Sequence, residues 1–205
     1  RVDLRNLNTF TIDGADAKDL DDAVSIELLD NGNYKLGIHI ADVSHYVRER
    51  TALDKEAYNR GNSVYLIDRV IPMLPKELSN GICSLNPNED RLTLSVFMEI
   101  DRNGGVIDHE IVEGVIRSKA SLIYDDVSDL LENEDEKMFE KLKDVSEDLK
   151  IMEELCHVLY DKRERRGSID FDFPEAKIIL DDKGVPVDIV KEDRRIANRM
   201  IEEFM

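Results

Sequence analysis

Apolar and polar residues alternate in strand fashion over 22–29 and 34–42, on either side of Asp30-Asn31-Gly32-Asn33, and this pattern predicts a β-hairpin with a tight turn. A second hairpin is predicted over 92–101 and 106–117, across Arg102-Asn103-Gly104-Gly105. Between the two, 53–60 reads as a short helix. The stretch 69–87, punctuated by Pro72, Pro75, Gly81 and Pro87, reads as a long, irregular but ordered connection. The period then changes. Leu142, Val145, Leu149, Met152, Leu155, Cys156 and Leu159 recur at i+3/i+4 spacing, which predicts one apolar stripe along a long helix, facing a core. Strands are predicted at 177–181 and 185–190 around Asp182-Lys183-Gly184, followed by a helix over 194–205 that stops without a cap. No repeat or linker interrupts the series. It predicts one α+β domain, with mixed, mainly antiparallel sheets and packed helices.

Composition narrows the class without naming a function. With 205 residues, 41% of them hydrophobic and 36% charged, the chain has enough apolar content for one sizeable core and has no run long enough to span a membrane. Cys83 and Cys156 lack CxxC spacing and sit among apolar residues, so buried thiols in a reducing, cytoplasmic setting are expected. The formal charge of −18 argues against a phosphate-rich partner until its distribution is considered. Residues 124–154 hold thirteen acids against four lysines, half of the whole excess, in what reads as the solvated face of helices. Basic clusters stand elsewhere, at Lys162-Arg163-Glu164-Arg165-Arg166 and at Arg194-Arg195 with Arg199. Charge therefore leaves an RNA partner open.

The chemistry is concentrated near the start. Asp13, Asp16, Asp19, Asp21 and Asp22 fall within ten residues, framed by apolar Phe10 and Ile12 before and by Ala23, Val24 and Ile26 after. A fold that gathers so many like charges needs hard cations or shifted pKa values to hold them. Asp13 would lie roughly 20 Å from Asp19 in a straight chain. Gly14 permits a bend that brings it back, so three or four carboxylates can converge on one or two divalent ions, an arrangement suited to phosphodiester hydrolysis. The spacing does not match a calcium-binding EF-hand loop.

The segment Thr11-Ile12-Asp13-Gly14-Ala15-Asp16-Ala17-Lys18-Asp19-Leu20-Asp21-Asp22-Ala23-Val24 resembles the signature of the ribonuclease II/ribonuclease R catalytic (RNB) domain, nearest its bacterial ribonuclease R branch. The resemblance continues through His39-Ile40-Ala41-Asp42-Val43-Ser44-His45-Tyr46-Val47, Arg60-Gly61-Asn62-Ser63-Val64-Tyr65, Leu78-Ser79-Asn80-Gly81-Ile82-Cys83 and Arg194-Arg195-Ile196-Ala197-Asn198-Arg199. It implies a hydrolytic, metal-dependent exoribonuclease that works from the 3′ end of single-stranded RNA and releases 5′-mononucleotides. The implied cofactor is Mg2+, with Mn2+ as a substitute. No organic cofactor or membrane partner is implied, and the intact protein is expected to be monomeric.

By the same resemblance Asp13, Asp19, Asp21 and Asp22 are the metal ligands, with Asp21 and Asp19 the catalytic pair, and Asp16 a bystander. Tyr65 resembles the aromatic that packs on the terminal nucleotide; from the residues alone, core or edge packing is the plainer reading. Phe171, with Phe173 competing for the role, resembles the aromatic at the far end of the stack. Tyr124 and Glu202 resemble residues along the RNA path. His39 and His45 read as structural, and Arg194 and Arg195 as partners either of phosphates or of nearby carboxylates. The family domain runs on beyond 205 residues and carries there an arginine for the scissile phosphate, with OB-fold RNA-binding domains flanking it. Residues 1–205 are thus expected to be the first part of that domain, with little turnover alone. The alternative is a non-catalytic RNA-binding or assembly module that retains the fold.

Overall fold

The computed structural model describes residues 1–133, 136–169 and 175–205. Its first half runs β1 (Val2–Asp3), β2 (Phe10–Asp13), β3 (Asp22–Leu28), β4 (Tyr34–Ala41), α1 (Val43–Tyr46), α2 (Ala52–Arg60), β5 (Val64–Tyr65) and β6 (Val70–Ile71). After a wide helical turn at Glu77–Ile82 come β7 (Asp90–Ile100), β8 (Val106–Arg117), β9 (Ala120–Ile123), α3 (Tyr124–Asn133), α4 (Glu136–Lys141), α5 (Ser146–Arg165), β10 (Glu175–Leu180), β11 (Pro186–Glu192) and α6 (Ile196–Phe204). Seven strands form one sheet in the order β1-β8-β7-β4-β3-β2-β9. The outer pairs β1/β8 and β2/β9 are parallel and the rest antiparallel, giving a mixed, mainly antiparallel α+β fold.

Both long hairpins form where alternation predicts them, because turn chemistry fixes their register. In the first, Gly32 takes φ 84°, a conformation costly for other residues, and the Asn33 amide donates to Asn31 Oδ1 (2.9 Å). In the second, Asp101 Oδ1 accepts from the amides of Asn103 and Gly105. One sheet face carries Phe10, Ile12, Val24, Tyr34, Leu36 and Ile38 against α3, α5 and α6; Leu149, Met152, Leu155, Ala197 and Met200 fill that layer. The other face carries a smaller cluster of Leu4, Leu20, Ala23, Ala41, Leu85 and Ile116.

The apolar stripe is not one helix. Leu142 and Val145 are buried with it but precede α5, which begins at Ser146. A turn closed by Val145 N–H to Leu142 C=O (3.0 Å) keeps nearly the helical spacing while redirecting the chain. Both cysteines are free, buried thiols.

His39 is fully buried within the sheet, in a relay running from Ser25 Oγ to Nε2 (3.0 Å) and from Nδ1 to Ser95 Oγ (2.9 Å), which in turn meets Thr93 Oγ1 (2.9 Å). Burial pushes its imidazole down to about 4, so it is neutral at pH 7. Gly37 makes room for it: a Cβ there would stand 2.4 Å from Ser25 Oγ and 3.0 Å from His39 Nε2. Among the described residues, no helix is long and apolar enough to cross a membrane.

Candidate active site

The aspartates lie where β2 ends, where β3 begins, and along the loop between. Their mutual repulsion would splay that loop if side chains alone held it. Its backbone is instead pinned from three directions. The Ala17 amide turns back on the Gly14 carbonyl (3.0 Å). Leu20, buried as a peg, donates its amide to Ser84 Oγ (3.1 Å) and accepts from the Leu85 amide (2.8 Å), while Ser84 Oγ donates to the Lys18 carbonyl (2.9 Å). The Asp21 carbonyl accepts from the Ala41 amide at the end of β4 (2.9 Å). Arg91 braces the other side, donating to the carbonyls of Ser84 (2.7 Å) and Gly81 (3.2 Å) and pairing with Glu89. Local pattern gives no hint that Ser84 and Arg91 serve the loop, because both act across more than sixty residues or through backbone atoms.

The carboxylates feel one another. Asp13 is pushed up to about 6, first by burial and then by Asp22, Asp19 and Asp21, with the Thr11 hydroxyl opposing. Its Oδ2 is buried without a hydrogen-bond partner. Asp21 is raised by burial and by Asp19 and Asp22, and Asp22 by burial. Asp19 accepts a hydrogen bond from Tyr65 Oη (2.7 Å), and this bond, with burial, raises the phenol. Among the described residues, however, no three Asp, Glu, His or Cys side chains already close on one point as a metal cage. The donor set nonetheless fits a hard divalent cation. Its oxygens are carboxylates, their repulsion is uncompensated, and one buried oxygen is orphaned.

Asp13 yields a direct test. A carboxyl raised in the folded state holds more protons than the unfolded chain between about 4 and about 6. Stability therefore falls as pH rises through that window and stays low above it. In metal-free buffer, Asp13→Asn is expected to stabilise the chain by about 1–2 kcal/mol at pH 7 and by nothing at pH 3.5, the figure being reduced for the partial exposure of the group. Urea titrations at the two pH values measure this, and equal effects at both would refute it.

Of the predicted RNA-path residues, Tyr65 reaches this loop directly through its bond to Asp19. Tyr65 is 66% exposed on the short β5 strand, open for stacking and not part of the core. Tyr124 opens α3, and its phenol is pushed up to about 12 by burial, then by Asp13, Asp22 and Glu202. Glu202 is exposed on α6 and gripped by Arg194, whose Nε lies 3.0 and 2.8 Å from its two oxygens. The start of α6 is capped by α3: Ser128 Oγ accepts from the Ala197 amide (3.3 Å), Glu132 from the Ile196 amide (2.9 Å), and Arg195 pairs with Asp129 and Glu132. Arg194 and Arg195 thus pair with carboxylates. Phe171 and Phe173 lie outside the described residues. The His45 ring contacts Arg1 and Arg48 through Nδ1 (3.3 and 3.2 Å).

A cavity of about 580 Å³ opens beside Asp19 and Tyr65, walled also by Asp16, Lys18, Arg69 and Lys76. Sequence reading singled out none of the three cations: Lys18 lies within the aspartate run itself, and Arg69 and Lys76 come from separate segments that form no motif with it.

A carboxylate loop of this kind on a mixed sheet defines a candidate phosphodiesterase site, and comparison with known proteins identifies its family. The RNB domain model matches residues 1–205, and the chain belongs to that family. It is 58% identical over 205 residues to ribonuclease R 1 of Lactococcus lactis and 55% identical over 207 residues to ribonuclease R of Thermotoga maritima. All of the chain is covered in both cases, but only 25% and 29% of those relatives, so it spans about a quarter to a third of their length. Among solved structures it resembles Mycoplasma genitalium RNase R in complex with ribose-methylated single-stranded RNA, with TM-score 0.92, 33% identity, the whole chain covered and 32% of that protein. It also resembles an active-site mutant of the Dss1 exoribonuclease from Candida glabrata, with TM-score 0.88, 25% identity, the whole chain covered and 28% of that protein.

Proposed function

We propose that this chain is the carboxylate-bearing part of the catalytic domain of a hydrolytic 3′→5′ exoribonuclease that acts on single-stranded RNA and releases 5′-mononucleotides. The observation that carries this reading is the set of four mutually repelling carboxylates on a loop pinned by its backbone, in a chain that matches the RNB family from end to end. The activity is assigned to the longer protein, since relatives extend well beyond the matched part.

Asp13, Asp19, Asp21 and Asp22 would hold magnesium, or manganese in its place. Such a cation supplies neutralisation of the phosphodiester and a more acidic water. Asp21 and Asp19 orient the reacting groups, and the Tyr65 hydroxyl fixes Asp19 while its ring offers a face to the terminal base, a contact every base can make. Tyr124 and Glu202 line the approach from the α3–α6 side, and Phe171 is assigned to the far end of the stacked nucleotides. A non-catalytic RNA-binding role would leave the concentrated repulsion without a purpose.

The test uses full-length protein and single-stranded RNA labelled at either end. A 3′ label is expected to appear at once as mononucleotide, while a 5′-labelled strand shortens stepwise. Internal fragments appearing first would overturn the reading.

A further inference from the structure

We propose that Ser84 is a positioning residue of the active site. Its hydroxyl sets the direction of the Asp19 side chain relative to Asp21, and through that the affinity for a divalent cation and the rate of the chemical step. The hydroxyl bonds to backbone atoms on either side of Asp19 and to neither carboxylate. The kinetic part of this role rests on the proposed hydrolysis and adds a residue outside the ligand set to it.

The four aspartates are held in two different ways. Asp13 and Asp22 belong to strands, and the ladders β2/β9 and β3/β4 fix their backbone. Asp19 and Asp21 belong to no element, and their charges repel. A side chain leaves its Cα in a direction set by the two planar peptide groups that meet there. For Asp19 both groups are held by one atom: Ser84 Oγ donates to the Lys18 carbonyl (2.9 Å) and accepts from the Leu20 amide (3.1 Å). For Asp21 the two groups are held through the Leu20 carbonyl, which accepts from the Leu85 amide (2.8 Å), and the Asp21 carbonyl, which accepts from the Ala41 amide (2.9 Å). The Leu85 amide shares its peptide group with the Ser84 carbonyl. That carbonyl accepts from Arg91 Nε (2.7 Å) and from the Asn86 amide (2.8 Å). Ser84 thus stands behind three of the four peptide groups, is itself fully buried, and is braced by Arg91. Without the hydroxyl, the buried Leu20 amide loses its acceptor and repulsion is free to turn Asp19 away from Asp21. Groups that orient ligands from behind typically change metal affinity or activity by about 10–100-fold when removed.

The experiment compares Ser84→Ala with Ser95→Ala in the full-length protein. Ser95 is equally buried and also loses a hydroxyl partner, His39 Nδ1 (2.9 Å), but it holds none of the four peptide groups. In Ser84→Ala, amide hydrogen exchange over residues 14–22 is expected to quicken at least about tenfold, because the loop opens without global unfolding. Calorimetric affinity for Mn2+ should fall about tenfold, and kcat on single-stranded RNA about thirtyfold with KM within about threefold. Ser95→Ala should leave all three within about threefold. Ser84→Cys, whose thiol is a weak donor and acceptor, should fall between Ser84→Ala and the unaltered protein, and it carries the same comparison if the alanine variant does not fold. Unchanged exchange and Mn2+ affinity in Ser84→Ala, or equal losses in Ser95→Ala, would overturn the assignment. If the loop loosens only in Ser84→Ala while the unaltered protein does not degrade RNA, the positioning role stands and the hydrolytic reading fails. If the unaltered protein degrades RNA and Ser84→Ala does so equally well, only the positioning role is lost.

Discussion

Replacing Asp21 with Asn in the full-length protein should lower RNA degradation by about a thousandfold or more while leaving RNA affinity within a few-fold. The exchange preserves shape and removes one charge. The backbone at this position is held through its carbonyl by the Ala41 amide (2.9 Å), so the loop has no reason to rearrange. What is lost is a negative oxygen from a cluster that couples Asp21 to Asp19 and Asp22. A cation at such a site contributes several kcal/mol of transition-state stabilisation, and every 1.4 kcal/mol or so is a factor of about ten. Single-turnover cleavage with excess protein measures the chemical step, and fluorescence anisotropy the affinity. A rate within tenfold of the unaltered protein would take Asp21 out of the chemistry.

The second large effect falls on stability. Phe10 is fully buried in β2, a strand held between β3 and β9, and its ring belongs to the layer packed by α3, α5 and α6. Phe10→Ala should cost about 3–5 kcal/mol, because a strand paired on both sides cannot close the vacated space. For a chain of this size that corresponds to a fall in melting temperature of roughly 10 °C. Differential scanning calorimetry provides the check, and a fall under about 3 °C would mean that the core relaxes into the gap. Asp13 ends the same strand, so this substitution loosens the site through the fold, whereas Asp21→Asn alters chemistry on an intact fold.

The contrast between these two positions follows how each is written in the chain. The hairpins were legible because a two-residue period and a turn motif are local facts; predicted strands 22–29 and 34–42 correspond to Asp22–Leu28 and Tyr34–Ala41. The helix at 53–60 and the strands at 177–181 and 185–190 were legible for the same reason, to within two residues. The strands β1, β5, β6 and β9 were not. With two to four residues each, they are too short to display a period, and they exist only because a neighbouring strand offers hydrogen bonds. The stripe through Leu142 and Val145 was misassigned to one helix because burial periodicity survives a turn that breaks the helix.

The aspartate run, its framing by apolar strands and its resemblance to the RNB signature were properties of the sequence, since charge and residue type need no partner to be recognised. Tertiary structure decided the rest. It seated Leu20 under Ser84 and Leu85, tied Asp21 to β4, set Tyr65 on Asp19, and brought Lys18, Arg69 and Lys76 around one cavity. Those relations join residues tens of positions apart, often through backbone amides and carbonyls that every residue possesses. An interaction made by atoms common to all residues leaves no mark in the identity of any one of them, so only the folded chain can reveal it.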